Sequence, residues 1–423
     1  MYGVSSSTAL VSGHRRLLAR DDSTPRVPRT VVLLGLTSLF TDISSEMVAA
    51  VLPLYLVYIG GFTPLAFGIV DGIYNGATAL VGLVSGFIGD RWRRHKEVAA
   101  TGYGLSALCK LLLAAVGTSL SAIGAVVLLD RVGKGIRTAP RDAMISTATP
   151  RENLGAAFGV HRAMDTTGAM LGPLVAFGLL ALAPLAFTSL FLVSFMIALV
   201  GLAILVLFVR PQRAAVAAVP ERPPSLRGAF GLLRLRRYRA LLLSGGVLSL
   251  ATASDAFVFL ILQEKLELRT SLFPLLFVGS AVTFMLLAAP VGRLADRVGR
   301  GRVLIGGYAL LLAVYALLVA PLGGWPLLVA VLGLLGTYYA ATDGVLMAMG
   351  SAVVPEAVRG SGLALLRTTT SAARLLASVT FGALWTLWGI EAAVACFGVA
   401  LLGAGVLAAL LLARAPETVE ADA

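Results

Sequence analysis

A chain of 423 residues that is 58% hydrophobic and only 13% charged, with a mean hydropathy of +0.90, carries more apolar side chains than a water-soluble globule of that length can bury. A net charge of +12 raises the question of nucleic acid, but no soluble basic segment long enough to form a domain is present. Composition leaves a lipid bilayer as the solvent and excludes a nucleic-acid-binding protein.

Residues 1–29 read as a solvated tail on the cytoplasmic side, because Arg15, Arg16 and Arg20 are not followed by the apolar stretch and small-residue cleavage site of a secretion signal. Apolar spans of bilayer-crossing length are expected at Thr30 to Ile59, Pro64 to Gly89 and Glu97 to Gly117. The first carries Asp42 and Glu46, four apart and so on one helix face. Between the second and third stands Gly86-Phe-Ile-Gly-Asp90-Arg91-Trp-Arg-Arg94. A glycine there permits close helix approach, and an aspartate at a helix end can pair with arginine or cap a neighbouring helix. Such contacts would act as a latch that breaks on opening.

Three further spans are expected at Ser121 to Pro140, Leu154 to Leu182 and Leu185 to Val209. The fourth span contains Asp130 and Arg131 within Arg131-Val-Gly-Lys134-Gly135-Ile-Arg137, and the fifth contains His161, Arg162 and Asp165. Charge at membrane depth costs roughly 2.5–3.5 kcal/mol per residue on insertion scales, so each such group needs a partner or an aqueous cavity. At about 1.5 Å of rise per residue, Asp42 lies about 18 Å, Asp130 about 16 Å and Arg162 about 12 Å from the cytoplasmic helix ends, close enough to share one layer. The expected partner of the acids is Arg162.

A proline- and arginine-rich linker, residues 210–238, divides the chain near its midpoint. The second half offers spans at Arg239 to Gln263, Leu272 to Ala295, Val303 to Ala320, Trp325 to Ala352, Gly360 to Trp388 and Ala392 to Ala413, followed by a short tail over 414–423. Asp255 and Asp343 are its intramembrane acids, and Arg367 and Arg374, seven apart, lie on one face. An arginine facing a cavity there would attract an anionic part of a substrate or bind Asp343. Cys109 and Cys396 fall in apolar spans and imply neither a disulfide nor a metal site.

The halves repeat. Gly86, Asp90, Arg91 and Arg94 recur as Gly292, Asp296, Arg297 and Arg300 at a shift of 206, with Gly299 completing the second copy; Pro150, Gly155 and Arg162 recur as Pro355, Gly360 and Arg367 at a shift of 205. Of the 34 basic residues only Lys265 and Arg269 fall in segments that a cytoplasmic amino terminus would place outside. This is the positive-inside pattern, and it puts both termini in the cytoplasm.

From Thr30 to Ala413 these motifs resemble the major facilitator superfamily, whose signature between helices two and three is Gly-x-x-x-Asp-Arg-x-Gly-Arg-Arg/Lys. Arg93 replaces its second glycine in the first copy. In helix four the family pattern Arg-x-x-Gln-Gly-x-Gly is matched with Lys134 and Arg137 as departures. In helix five Gly159, Gly168, Gly172 and Pro173 look like the antiporter motif of drug–proton exporters, with Ala176 and Phe177 where its final glycines would stand.

The resemblance implies an all-α membrane protein of twelve transmembrane helices in two pseudo-symmetric six-helix bundles, 30–209 and 239–413, with helices one, four and five around a central cavity. It implies secondary active transport in the plasma membrane: export of a small molecule by exchange with protons, by a monomer without cofactor, metal or enzymatic activity. Asp42, Glu46 and Asp165 are the expected proton carriers, with Asp130, Arg131, Asp255, Asp343 and Arg367 around the cavity. Two alternatives stay open: passage of a small anion or metal cation, and a membrane sensor or scaffold that does not transport.

Overall fold

A computed structural model describes residues 27–77, 94–210, 231–355 and 358–414, and among these residues every regular element is helical. In the first half α1 runs over Arg29–Leu54, α2 over 64–77 as far as it is described, α3 over His95–Ala115, α4 over Leu120–Ala148, α5 over Leu154–Leu182 and α6 over Phe187–Ala203. In the second half α7 is Arg236–Leu250, α8 Asp255–Lys265, α9 Phe273–Val298, α10 Arg300–Val319, α11 Gly324–Val353 and α12 Arg359–Ala413.

Nine helices among the described residues are long and apolar enough to cross a membrane. Helix α4 is not among them although it has 29 residues, because Asp130, Arg131, Lys134, Arg137, Arg141 and Asp142 interrupt its apolar sequence. Helix α12 has 55 residues, about 80 Å at 1.5 Å per residue and far more than one crossing needs. Gly389, at φ 85°, breaks it. That value lies in the left-handed region open to glycine and costly for other residues.

Two departures from the expected spans affect the site. The span expected from Arg239 to Gln263 is interrupted at 251–254, where α7 stops and α8 starts. Tyr315 on α10 repairs the freed backbone: its hydroxyl accepts from Ala253 N at 2.7 Å and donates to Ala251 O at 3.3 Å. Irregular backbone at membrane depth survives only where such partners or a water-lined cavity satisfy it. The span expected to end at Pro140 instead continues through the proline to Ala148, adding about two turns that begin with Arg141 and Asp142.

Helix α1 packs on α5 and α6, and α3 on α4 and α6. In the second half α9 packs on α11, α7 on α12, and α10 on both α11 and α12. The halves meet where α9 touches α1 and α5, and where α2 lies on α12. A Cβ added to Gly68 would lie 2.5 Å from the Ser378 carbonyl oxygen, and one added to Gly382 would lie 2.4 Å from that of Pro64, so these backbones are nearly in contact. Leu387, Trp388 and Val399 on α12 point outward and exposed, the reverse of a soluble protein and natural for a surface bathed in hydrocarbon.

Candidate functional site

Small residues bring α1 against α5, and charge collects beside that contact. Gly168 abuts the Leu39 backbone and Gly172 the backbone of Ile43 and Met47, so α5 lies almost directly on α1. This brings the Asp42 and Asp165 carboxyl groups within hydrogen-bonding reach of each other. Helix α4 supplies the counter-charge: Arg137 Nη2 is 3.8 Å from Asp42 Oδ1, and Arg141 Nη1 is 3.9 Å from Asp165 Oδ1. Arg141 also bonds Asp142 at 2.9 Å and donates to Ser38 Oγ at 3.4 Å. Ser38 Oγ and His161 Nε2 are hydrogen-bonded at 3.0 Å, and Arg137 stacks on the Tyr103 ring at 4.8 Å.

The expected pairing of Asp42, Asp130 and Arg162 in one cluster does not form. Arg162 reaches Asp165 at 3.6 Å, but 81% of its side chain is exposed, and Arg137 and Arg141 are the buried partners instead. The reason is rotational: three residues from Asp165 on the same helix, Arg162 points off the α1–α5 seam. Asp130 belongs to a second cluster, where Lys110 Nζ binds its Oδ1 at 2.5 Å and Arg131 binds its Oδ2. Arg131 lies over the Tyr74 ring at 4.0 Å, which links this cluster to α2.

Between the halves lies a cavity of about 260 Å³. Glu46, Asp71 and Tyr74 line it from the first half; Asp255, Tyr339 and Arg374 line it from the second. The break between α7 and α8 forms part of its wall, with Thr252, Ala253 and Ser254. Tyr339 donates to Asp255 Oδ1 at 2.5 Å, and Ser378 on α12 donates to Asp71 Oδ2. One end is shut by aromatic rings: Phe67 of α2 meets Phe257 of α8 edge-on at 4.8 Å, and Phe257 meets Phe381 of α12 at 4.8 Å. Just beyond them Leu65 N donates to Thr386 Oγ1 at 2.9 Å.

Other expected residues stand apart from this cavity. Arg367 and Asp343 are exposed, and Arg374 rather than Arg367 is the cavity arginine, with Asp343 in electrostatic reach of it. Gly159 has nothing within 4 Å of an added Cβ, so it does not share the packing role of Gly168 and Gly172; Pro173 lies buried within α5 beside Gly172. In the second latch copy Arg300 bonds Asp296 at 2.9 Å and reaches the Ala348 carbonyl of α11 at 3.5 Å, while Gly299, at φ 105°, caps α9; Arg297 is exposed and Gly292 is unobstructed. Gly86, Asp90 and Arg91 of the first copy lie outside the described residues; Arg94 is exposed at the start of α3. Among the described residues no three His, Cys, Asp or Glu side chains converge as metal ligands.

Sequence reasoning passed over Asp71, Arg141 and Tyr339, gave Lys110 no role, and placed Arg367 rather than Arg374 at the cavity. Asp71 was findable, since it is a lone acid in an apolar span. Arg137 and Arg141 were findable too, as an i,i+4 pair facing one helix neighbour. Tyr339 carries no such mark, because a tyrosine in an apolar helix is ordinary.

A model of the Major Facilitator Superfamily matches residues 34–284 and 241–423. An uncharacterized MFS-type transporter of Methanocaldococcus jannaschii is 31% identical over 385 residues, covering 88% of this chain and 92% of that protein. An uncharacterized protein of Mycobacterium tuberculosis is 35% identical over 154 residues, 36% of this chain and 37% of its own length. Among solved structures, the nucleoside transporter NupG superposes with a TM-score of 0.72 at 15% identity, covering 91% of this chain and 98% of its own. A POT family transporter in complex with 5-aminolevulinic acid superposes with a TM-score of 0.75 at 14% identity, covering 92% and 96%. At such identities these structures establish a common fold.

Proposed function

The chain belongs to the Major Facilitator Superfamily and is a multi-pass membrane transporter of that kind, and from this premise we propose that it exports a small molecule in exchange for protons by alternating access. The observation that carries the reading is the cavity of about 260 Å³ lined by ionisable groups from both halves, together with the Asp42–Asp165 carboxyl pair and its guanidinium partners at the α1–α5 contact. Groups so costly in hydrocarbon have a use where water and substrate reach them from one side at a time.

Twelve crossings make the geometry work. To the nine apolar helices are added the span that begins with α2, the charged helix α4, and a second crossing gained by dividing α12 at Gly389. With both termini in the cytoplasm of a plasma-membrane protein acting as a monomer, the aromatic closure around Phe67, Phe257 and Phe381 is at the outer end. The pair Asp296–Arg300, tied to α11 through Ala348, serves as the cytoplasmic latch of the second half.

Coupling arises at the α1–α5 seam. Two carboxyl groups in contact can share one proton, and Arg137 and Arg141 supply counter-charge when it leaves. A shift of α4 against α1 would alter both distances together, and so tie proton occupancy to the rocking of the halves. Glu46, one turn from Asp42 and lining the cavity, links the seam to the substrate.

A transported compound is first found by comparing retention in cells with and without the protein. In inverted vesicles that compound should then collapse a preformed pH gradient, and Asp42→Asn combined with Asp165→Asn should abolish the collapse while the protein still inserts. Normal proton exchange by the double variant would count against the coupling assignment.

A further inference from the structure

Among the described residues that line the cavity, three acids, Glu46, Asp71 and Asp255, stand with one cation, Arg374. Arg131, held over the lining residue Tyr74, is in electrostatic reach of Glu46, which leaves Asp71 and Asp255 as the acids without a cation of their own. Arg374 is not free to neutralise all three, because it sits beside Tyr308, Tyr338 and Tyr339 and is drawn by Asp343 as well as Asp255. Hydroxyls from Ser378 and Tyr339 donate to one oxygen each of Asp71 and Asp255, and neither acid has a cation at salt-bridge distance among the described residues. Asp71 and Asp255 belong to opposite halves and lie close enough to feel each other's charge.

Two further features narrow what fills the gap. Phe67 and Tyr74 from the first half and Phe277 and Tyr339 from the second are among the lining residues, and a cation gains about 0.5–2 kcal/mol from an aromatic ring face. Arg374 lines the cavity and its buried Nε has no hydrogen-bond partner, so the protein leaves part of the hydrogen-bonding capacity of this guanidinium unused. The volume, about 260 Å³, falls below the roughly 300–1,000 Å³ of drug-sized sites.

Resting on the transporter reading above, we infer that the cavity takes a small protonated organic amine that carries a hydrogen-bond acceptor: the ammonium between Asp71 and Asp255, the acceptor at Arg374, the apolar part against the rings. A cation held between acids from both halves draws the halves together, so the same contact that recognises the ligand favours closure around it. An anion of the same size would meet three acidic side chains and a single arginine.

The test uses full-length purified protein in detergent and three probes of similar size: phenylalanine amide, a cation with a carbonyl acceptor; phenethylamine, a cation without one; and phenylacetate, an anion. Ligand-induced rise in Tm and equilibrium binding are read for each. The expected order is phenylalanine amide, then phenethylamine about tenfold weaker, then phenylacetate without effect. Asp71→Asn and Asp255→Asn should each weaken phenylalanine amide at least tenfold, and Arg374→Gln should bring it down to the level of phenethylamine. Glu46→Gln, on a residue outside any ion pair among those described, provides a fourth variant if the others fail to fold. The ranking of probes is made on the unaltered protein and needs no variant.

Phenylacetate binding as tightly as the amines, no binding of any probe up to millimolar concentration, or amine binding indifferent to all the acid substitutions would each overturn the assignment. None of those results touches the transporter reading, which fails separately if no compound of any class moves across the membrane against a gradient.

Discussion

The sharpest prediction concerns the two glycines of α5 that sequence treats alike and structure does not. A methyl group at Gly168 would stand 2.5 Å from the Leu39 carbonyl oxygen and 3.0 Å from its Cα, about 0.9 Å short of the 3.4 Å at which ordinary contact begins. The obstacle is backbone of a neighbouring helix, which cannot rotate away as a side chain would. Gly168→Ala therefore has to push α1 off α5. Overpacking of this kind costs about 1–3 kcal/mol, and at about 2–4 °C per kcal/mol for a unit of 150–250 residues it should lower Tm by several degrees. At Gly159 an added Cβ meets nothing within 4 Å, so Gly159→Ala should leave Tm unchanged or raise it slightly, since alanine is the better helix former. Thermal unfolding followed by fluorescence in detergent, with size-exclusion profiles as a check on dispersity, measures both. Equal melting temperatures for the two variants would refute the contact between Gly168 and the Leu39 backbone. The same displacement separates Asp42 from Asp165, so Gly168→Ala should also uncouple proton exchange before it abolishes folding.

The buried cluster around Asp130 makes an asymmetric prediction. Lys110→Met leaves a neutral Asp130–Arg131 pair, whereas Asp130→Asn leaves two buried cations facing each other; the second should cost about 3–5 kcal/mol and the first clearly less, read as Tm, with the double variant recovering part of the loss. Arg162→Met, at a side chain 81% exposed, should leave Tm where it is, and a large fall would mean that Arg162 rather than Arg141 anchors Asp165. For the closed end, Leu65→Cys with Thr386→Cys, in a background where the exposed Cys396 is replaced by serine, should form a disulfide on mild oxidation and lose reactivity to a maleimide. Labelling that survives oxidation would show that α2 and α12 do not meet there.

Much of the site follows from a rule legible in one dimension, that charge in an apolar span has a purpose. Asp42, Glu46, Asp130, Arg131, Asp165 and Asp255 were all marked by it, and all six stand in the two clusters or the cavity. The pairings were not legible. Arg162 looked like the partner of Asp42 because the two have similar depths, but depth along the axis says nothing about azimuth, and it is azimuth that gives Asp42 to Arg137 on α4. Arg367 and Arg374 illustrate the same limit: seven residues apart, they share a nominal face, yet one is exposed and the other lines the cavity.

Hydropathy and repetition act locally and additively along the chain, so a membrane-embedded, all-helical molecule whose two parts echo each other could be inferred from residue order. A bilayer demands roughly 20 apolar residues per crossing whatever the neighbouring helices do. Which carboxyl meets which guanidinium depends on helix rotation, and rotation is set by close contacts such as Gly168 on Leu39 and Gly382 on Pro64, made between residues far apart in sequence. The break at 251–254 belongs to that second class, since it survives only because Tyr315, more than 60 positions away, supplies the missing hydrogen bonds. Packing thus decided the cavity, its excess of acids and its closed end, from residues that composition alone leaves scattered over several spans.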